Sequence, residues 1–168
     1  MKEGEVVLGI DPGTGRLGWA VLKVVVIDNC KKVEIVDCGL IESKANTPLV
    51  DRLELIYREL SEISQKHKPD VLVVEELFFV KNVKTGISVA HARGVVLLLG
   101  KINKMEIFQY KPNEIKMSVA GYGHATKEQM QKMIACYIKN CDIKQDDTAD
   151  AIAVALTYLN RPKYTQTG

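Results

Sequence analysis

Apolar residues fall in short runs along the chain, and their spacing changes from one run to the next. Val6 to Ile10 and Val71-Leu72-Val73-Val74 are nearly continuous, as expected of strands buried on both faces. Trp19-Ala20-Val21-Leu22-Lys23-Val24-Val25-Val26-Ile27 is β-branched and aromatic and predicts another strand. The turn-prone Asp28-Asn29 follows, then a third strand-like run from Val33 to Ile41. The chain therefore opens as a three-strand antiparallel meander. Val6 to Ile10 and Val71 to Val74 are expected to be central parallel neighbours, joined by a crossover through the intervening helix.

That helix is predicted over Pro48 to Lys66, where Leu49, Leu53, Ile56, Leu60 and Ile63 repeat at helical spacing and charge occupies the other face. Pro69-Asp70 ends it. Gly86 to Ile102 predicts a second helix, apolar nearly all round at Val95-Val96-Leu97-Leu98-Leu99, so it should be buried both in the core and in a homodimer interface. Glu106 to Tyr110 reads as a short strand ending at Lys111-Pro112, and Lys116 leads into a glycine-marked loop, Gly121 to Lys127. Thr126 and Gln129 have capping-box spacing, and Met130, Met133, Ile134, Tyr137 and Ile138 form the buried stripe of the helix that follows. The last helix begins at Asp146-Asp147, and Ala149, Ala151, Ala153 and Ala155 should let it pack close to the sheet. The expected architecture is a single α/β domain over residues 1–168, a five-stranded mixed sheet flanked by helices, with a loose tail over about 161–168.

Gly13-Thr14-Gly15-Arg16-Leu17-Gly18 matches the G-x-G-x-x-G dinucleotide fingerprint, and Asp37 stands near where its acidic residue belongs. The fingerprint has meaning only when a helix leaves the glycines, so that pyrophosphate meets the helix N-terminus. A strand leaves Gly18 instead, and the match is a decoy.

Composition narrows the classes. The chain has 168 residues, no linker or repeat, no leader-like h-region, and no uninterrupted apolar run approaching a membrane span, which points to a cytoplasmic protein. Cys30, Cys38, Cys136 and Cys141 form no C-x-x-C pair and read as reduced thiols. The net charge is only +2, but residues 81–132 hold nine Lys or Arg against Glu106, Glu114 and Glu128, a stretch suited to a polyanion or to a solvated surface.

Four acids carry the candidate chemistry. Asp11 ends one buried strand, and Glu75 or Glu76 ends the other; neighbouring strands about 4.8 Å apart let both reach a shared ligand. Asp147 and Asp150 stand at i and i+3 in the first turn of the last helix. Each has an ordinary explanation in a turn, a solvated strand end or the helix dipole. Together they are harder to dismiss, because two carboxylates at 4 Å repel by about 4 kcal/mol at an effective dielectric near 20. Hard oxygen ligands suit Mg²⁺ or Mn²⁺, and two ions about 3.5–4 Å apart would serve phosphodiester hydrolysis. No His or Cys spacing suggests zinc.

The segments GIDPGTGRLGWA, VVEELFFVKN, AHARG, GYGHATKEQM and DDTADAIAVA, in that order from about Val6 to Leu159, resemble the RuvC family of bacterial Holliday-junction resolvases. The resemblance implies a ribonuclease-H-like fold and a homodimeric endonuclease that binds a four-way DNA junction. It further implies nicks in two strands of like polarity that leave 5′-phosphate ends. By the same resemblance the metal-binding acids are Asp11, Glu75, Asp147 and Asp150. Glu75 is selected over Glu76 because it stands three residues before Phe78 and six before Lys81-Asn82. Phe78 would stack on a base near the crossover, with Lys81 and Asn82 beside it, and Lys116 and Lys127 would meet the DNA backbone. The branch-migration proteins RuvA and RuvB are the implied partners. His124 and Tyr122 receive no role, His67 and His91 read as structural, and Arg93-Gly94 as packing. Two other readings compete: a junction-binding protein without catalysis, and an actin-like ATPase suggested by the Asp-Pro-Gly-Thr-Gly hairpin.

Overall fold

The computed structural model describes residues 2–76, 83–137 and 146–161. Phe78, Lys81, Asn82, Ile138 and the expected tail beyond Arg161 lie outside these residues. The elements are β1 (Val6–Asp11), β2 (Arg16–Ile27), β3 (Cys30–Glu42), α1 (Leu49–His67), β4 (Val71–Glu75), α2 (Val83–Ile102), β5 (Glu106–Tyr110), α3 (Pro112–Ala120), α4 (Lys127–Tyr137) and α5 (Asp146–Asn160).

The five strands form one sheet in the order β3-β2-β1-β4-β5. β1 and β2, and β2 and β3, pair antiparallel, whereas β1 with β4 and β4 with β5 are parallel. The meander and the central parallel pair stand as the apolar runs imply. Asp28 and Asn29 take φ of 52° and 59°, the left-handed pair that a two-residue hairpin requires. β2 starts earlier than its β-branched run suggests and takes in Arg16, Leu17 and Gly18. Half of the apparent dinucleotide fingerprint is thus strand.

Period-two alternation divides the core between the two faces of the sheet. Val7, Ala20, Leu22, Val71 and Val73 face α3, α4 and α5, where Ile115, Val119, Ile134, Ile152 and Leu156 are buried. Leu8, Ile10, Leu17, Val21, Leu72 and Val74 face α1 and α2, meeting Ile56, Leu60, Val96 and Leu99. Thr85–Ile102 is long and apolar enough to cross a membrane by length and composition alone. In the fold, one side of it packs on the sheet through Ala92, Val96 and Leu99.

α3 is a helix for which the sequence analysis predicts no element between Lys111-Pro112 and the glycine loop. Pro112 occupies the first turn, where its missing N–H costs nothing, and Glu114 accepts a hydrogen bond from the Lys111 backbone N–H at 2.7 Å. Gly121, at φ 84°, closes the helix with its N–H on the Met117 carbonyl. In α4 the predicted capping box forms. The Thr126 N–H donates to Gln129 Oε1 at 2.8 Å, and the Gln129 N–H to Thr126 Oγ1 at 3.3 Å.

Asp37, the decoy acid, has a structural partner set. Its carboxylate accepts from Lys66 Nζ at 2.7 Å and lies 2.9 Å from His67 Nε2, tying β3 to the end of α1. Burial alone would raise its pKa, but the Lys66 and His67 contacts prevail and lower it. Arg93 bonds the Gln109 side chain on β5. Gly94 does not pack: a Cβ there would meet nothing.

Candidate active site

β1 and β4 run parallel with Ile10 opposite Val74, so their last residues, Asp11 and Glu75, emerge side by side at the carboxyl ends of the strands. In open α/β sheets that edge is where ligands bind. The next residue, Glu76, instead continues the β4–β5 ladder through its N–H, 2.8 Å from the Tyr110 carbonyl oxygen.

α5 supplies the other two acids, and its approach is set by small residues on both sides. A Cβ on Gly9 would lie 2.7 Å from the Ala155 Cβ and would collide with the Ala151 carbonyl oxygen. A Cβ on Gly18 would collide with the carbonyl of Asp147 itself. The glycine that completes the false fingerprint is therefore the seat for the first turn of α5. With the helix pressed on the sheet there, the charge of Asp150 reaches both Asp11 and Glu75, and that of Asp147 reaches Asp11.

The electrostatics follow from crowding. Burial is the largest influence on Asp11 and, with Asp150 and Asp147 nearby, pushes its pKa up to about 6 against the pull of the Glu75 hydrogen bond and Lys127. Burial is also first for Glu75, which the charge of Asp11, their shared hydrogen bond and Asp150 push up to about 8, with Lys116 opposing. Both shifts favour the protonated forms, because burial and crowded negative charge penalise ionising the two carboxyls together. Such a pair is short of positive charge.

Cations already stand around it. Lys127 Nζ lies 3.8 Å from Asp150 Oδ2, and Arg16 Nε lies 2.9 Å from Asp147 Oδ2. Glu75, Lys116, Lys127 and Asp150 line one cavity of about 280 Å³, walled by Pro112, Ile115, Ala125, Met130, Ala153 and Val154. The fold thus gathers Asp11, Glu75, Asp147, Asp150, Lys116 and Lys127, six residues from β1, β4, α3, α4 and α5. Among the described residues no three His, Cys, Asp or Glu side chains converge on one ion position. Phe78, Lys81 and Asn82 are not placed. Tyr122 and His124 are exposed on the loop before α4. Arg16 was missed by sequence reasoning, since nothing in its neighbours announces an ion pair with a residue 131 positions on.

The arrangement has known counterparts. The profile of the family described as crossover junction endodeoxyribonuclease RuvC matches residues 7–158. This chain belongs to the RuvC family. It is 44% identical over 156 residues to the crossover junction endodeoxyribonuclease RuvC of Brachyspira hyodysenteriae, covering 93% of this chain and 94% of that one. The RuvC of Fusobacterium nucleatum is 41% identical over 155 residues, covering 92% and 80%. Among solved structures, Thermus thermophilus RuvC in complex with a Holliday junction substrate superposes with a TM-score of 0.84 at 29% identity, over 92% of this chain and 93% of that one. The sheet described above is therefore the ribonuclease-H-like sheet of the RuvC family.

Proposed function

We propose that this chain is a cytoplasmic, homodimeric endodeoxyribonuclease that resolves four-way DNA junctions at the site formed by Asp11, Glu75, Asp147 and Asp150. The observation that carries the reading is the convergence of β1, β4 and the first turn of α5. It brings four acids together beside two lysines and a cavity, on a chain of the RuvC family.

The donor set fits a hard divalent cation: all four candidates offer carboxylate oxygen, and the raised pKa values of Asp11 and Glu75 report burial and crowded negative charge that Lys116 and Lys127 only partly offset. Two Mg²⁺ ions, with Mn²⁺ able to substitute, would polarise the scissile phosphate and activate the attacking water. Asp11 and Glu75 sit at rigid strand ends, which fixes their spacing. Asp150 faces both of them from α5. Lys116 and Lys127, on the cavity wall, hold phosphate oxygens as point charges and orient the strand to be cut. By the family resemblance, Phe78, Lys81 and Asn82, which follow Glu75 in the sequence, contact the bases and backbone of the junction. The products are ligatable 5′-phosphate ends.

A second copy of the chain supplies the second cut. Ile87, Leu98 and Ile102 on α2 are 55%, 58% and 57% exposed, with open Gly94 between them, and this apolar stripe suits an identical helix. The branch-migration proteins RuvA and RuvB are the expected partners on the same junction.

The test is cleavage of a synthetic four-way junction, labelled on each strand in turn, with Mg²⁺ and with chelator. Paired symmetric nicks that need the metal establish the activity. Tight binding of the junction by folded protein without any cut would leave a binding protein instead.

A further inference from the structure

Arg16 opens β2 and pairs across the ladder with Glu42 on β3. It lies on the same face of the strand as Gly18, two residues on, so the glycine seat that admits α5 also delivers Asp147 to the arginine. Its Nε is 2.9 Å from Asp147 Oδ2 and 3.9 Å from Glu42 Oε1. The guanidinium stands between two carboxylates, one inside the acid cluster and one outside it. We propose that Arg16 is the resting counter-ion of the cluster: it holds Asp147 in the absence of a divalent cation and passes to Glu42 when a cation arrives. The proposal rests on the metal-binding reading of Asp11, Glu75, Asp147 and Asp150.

The physical case has three parts. An arginine stays charged at every working pH, so its competition with a metal ion for Asp147 cannot be relieved by losing a proton. The Arg16 side chain is 52% exposed and that of Glu42 is 61% exposed, so the exchange moves one flexible side chain and disturbs no core. Asp147 and Asp150 each have a cation beside them, Arg16 Nε at 2.9 Å and Lys127 Nζ at 3.8 Å, so part of the positive charge that a metal would bring is supplied from within the chain. Arg16 is thus a positioning residue, acting through Asp147, and it sets how much free divalent ion the protein needs before the site fills.

The experiment is calorimetric titration of Mn²⁺ into the full, DNA-free chain at low ionic strength, which reads metal occupancy without reference to cleavage. Arg16→Gln should bind Mn²⁺ about fivefold more tightly than the parent, the scale of an exposed ion pair worth up to about 1 kcal/mol. Glu42→Gln, which removes the alternative partner, should weaken binding. Arg16→Lys should fall between the parent and Arg16→Gln. Arg52→Gln makes the same charge change beside Gly15, where Arg52 bonds the Thr47 carbonyl and not Asp147. It should change affinity by no more than about twofold, since its charge acts only through screened solvent. Unchanged or weaker binding by Arg16→Gln overturns the proposal, and so does equal tightening by Arg52→Gln, which would indicate a general field. Asp147→Asn separates the two levels of argument. Undiminished Mn²⁺ binding by that variant removes Asp147 from the metal site and the counter-ion proposal with it, whereas lost binding with an unresponsive Arg16→Gln overturns only the counter-ion.

Discussion

Gly18 lies directly beneath Asp147: any Cβ at residue 18 would strike the Asp147 carbonyl oxygen. A backbone contact between β2 and α5 thereby sets the position of two candidate ligands. Gly18→Ala should push the first turn of α5 away from the sheet at about 1–3 kcal/mol, the usual cost of overpacking. Cleavage should fall by more than the stability loss explains. Thermal melting alongside single-turnover cutting at a temperature where the variant is fully folded checks this, and an unimpaired rate would mean that α5 need not sit so close.

Asp11→Asn removes a charge at the end of a buried strand with little change of shape. Junction binding should stay within a few-fold while cutting falls roughly 10²–10³-fold, the scale of losing one electrostatic contributor to a transition state. Gel-shift titration and product formation on the same junction give the two numbers. A variant that cuts normally removes Asp11 from the chemistry.

Lys127→Ala should slow cutting at saturating junction more than it weakens binding, because the lysine lines the cavity shared with Glu75 and Asp150. Loss of one phosphate contact should reduce the slope of log affinity against log salt by about 1. If only affinity changes, Lys127 is a docking residue.

The raised carboxyls predict a pH effect on stability in chelator. Asp11 and Glu75 have folded values of about 6 and about 8, against ordinary values of 3.8 and 4.5. Between the ordinary and folded values the native state binds more protons than the unfolded chain, so stability decreases as pH rises. The midpoint temperature should therefore drop from about pH 5 to pH 8 without metal. Mg²⁺ should offset part of the drop, and Glu75→Gln should flatten it. A parent profile as flat as that of Glu75→Gln would show the carboxyl pair to be solvated.

Leu98→Glu places a charge in the exposed α2 stripe and away from the core. Sedimentation equilibrium should show the parent as a dimer and the variant as a folded monomer that binds junctions more weakly. A monomeric parent at high concentration would leave the stripe without its proposed occupant.

Much of this architecture was legible because strands and helices differ in hydrophobic period. The central strands declared themselves as unbroken apolar runs, and Asp28-Asn29 as a left-handed turn. α3 was missed because Pro112 was taken as the stop of β5 when it is the first turn of a helix, with Ile115 and Val119 as its only buried residues. The acids could be listed from strand ends and helix starts, but strand reasoning alone left Glu75 and Glu76 equivalent. Register and the neighbouring charges separate them: Glu75 ends β4 beside Asp11 and within the field of Asp11 and Asp150, while the backbone of Glu76 continues the ladder to Tyr110.

The sequence by itself determined every element but α3, the meander followed by parallel strands, the small-residue face of α5, and Asp11, Asp147 and Asp150 with one of Glu75 and Glu76 as candidate acids, since these depend on local spacing and residue type; the choice of Glu75 came from the family resemblance. The sequence also exposed the dinucleotide fingerprint as false. Only the tertiary structure decided what Gly18 and Arg16 are for: one admits Asp147 and the other binds it. Those roles depend on which backbone lies above which strand, a contact between residues more than a hundred positions apart that no local pattern encodes.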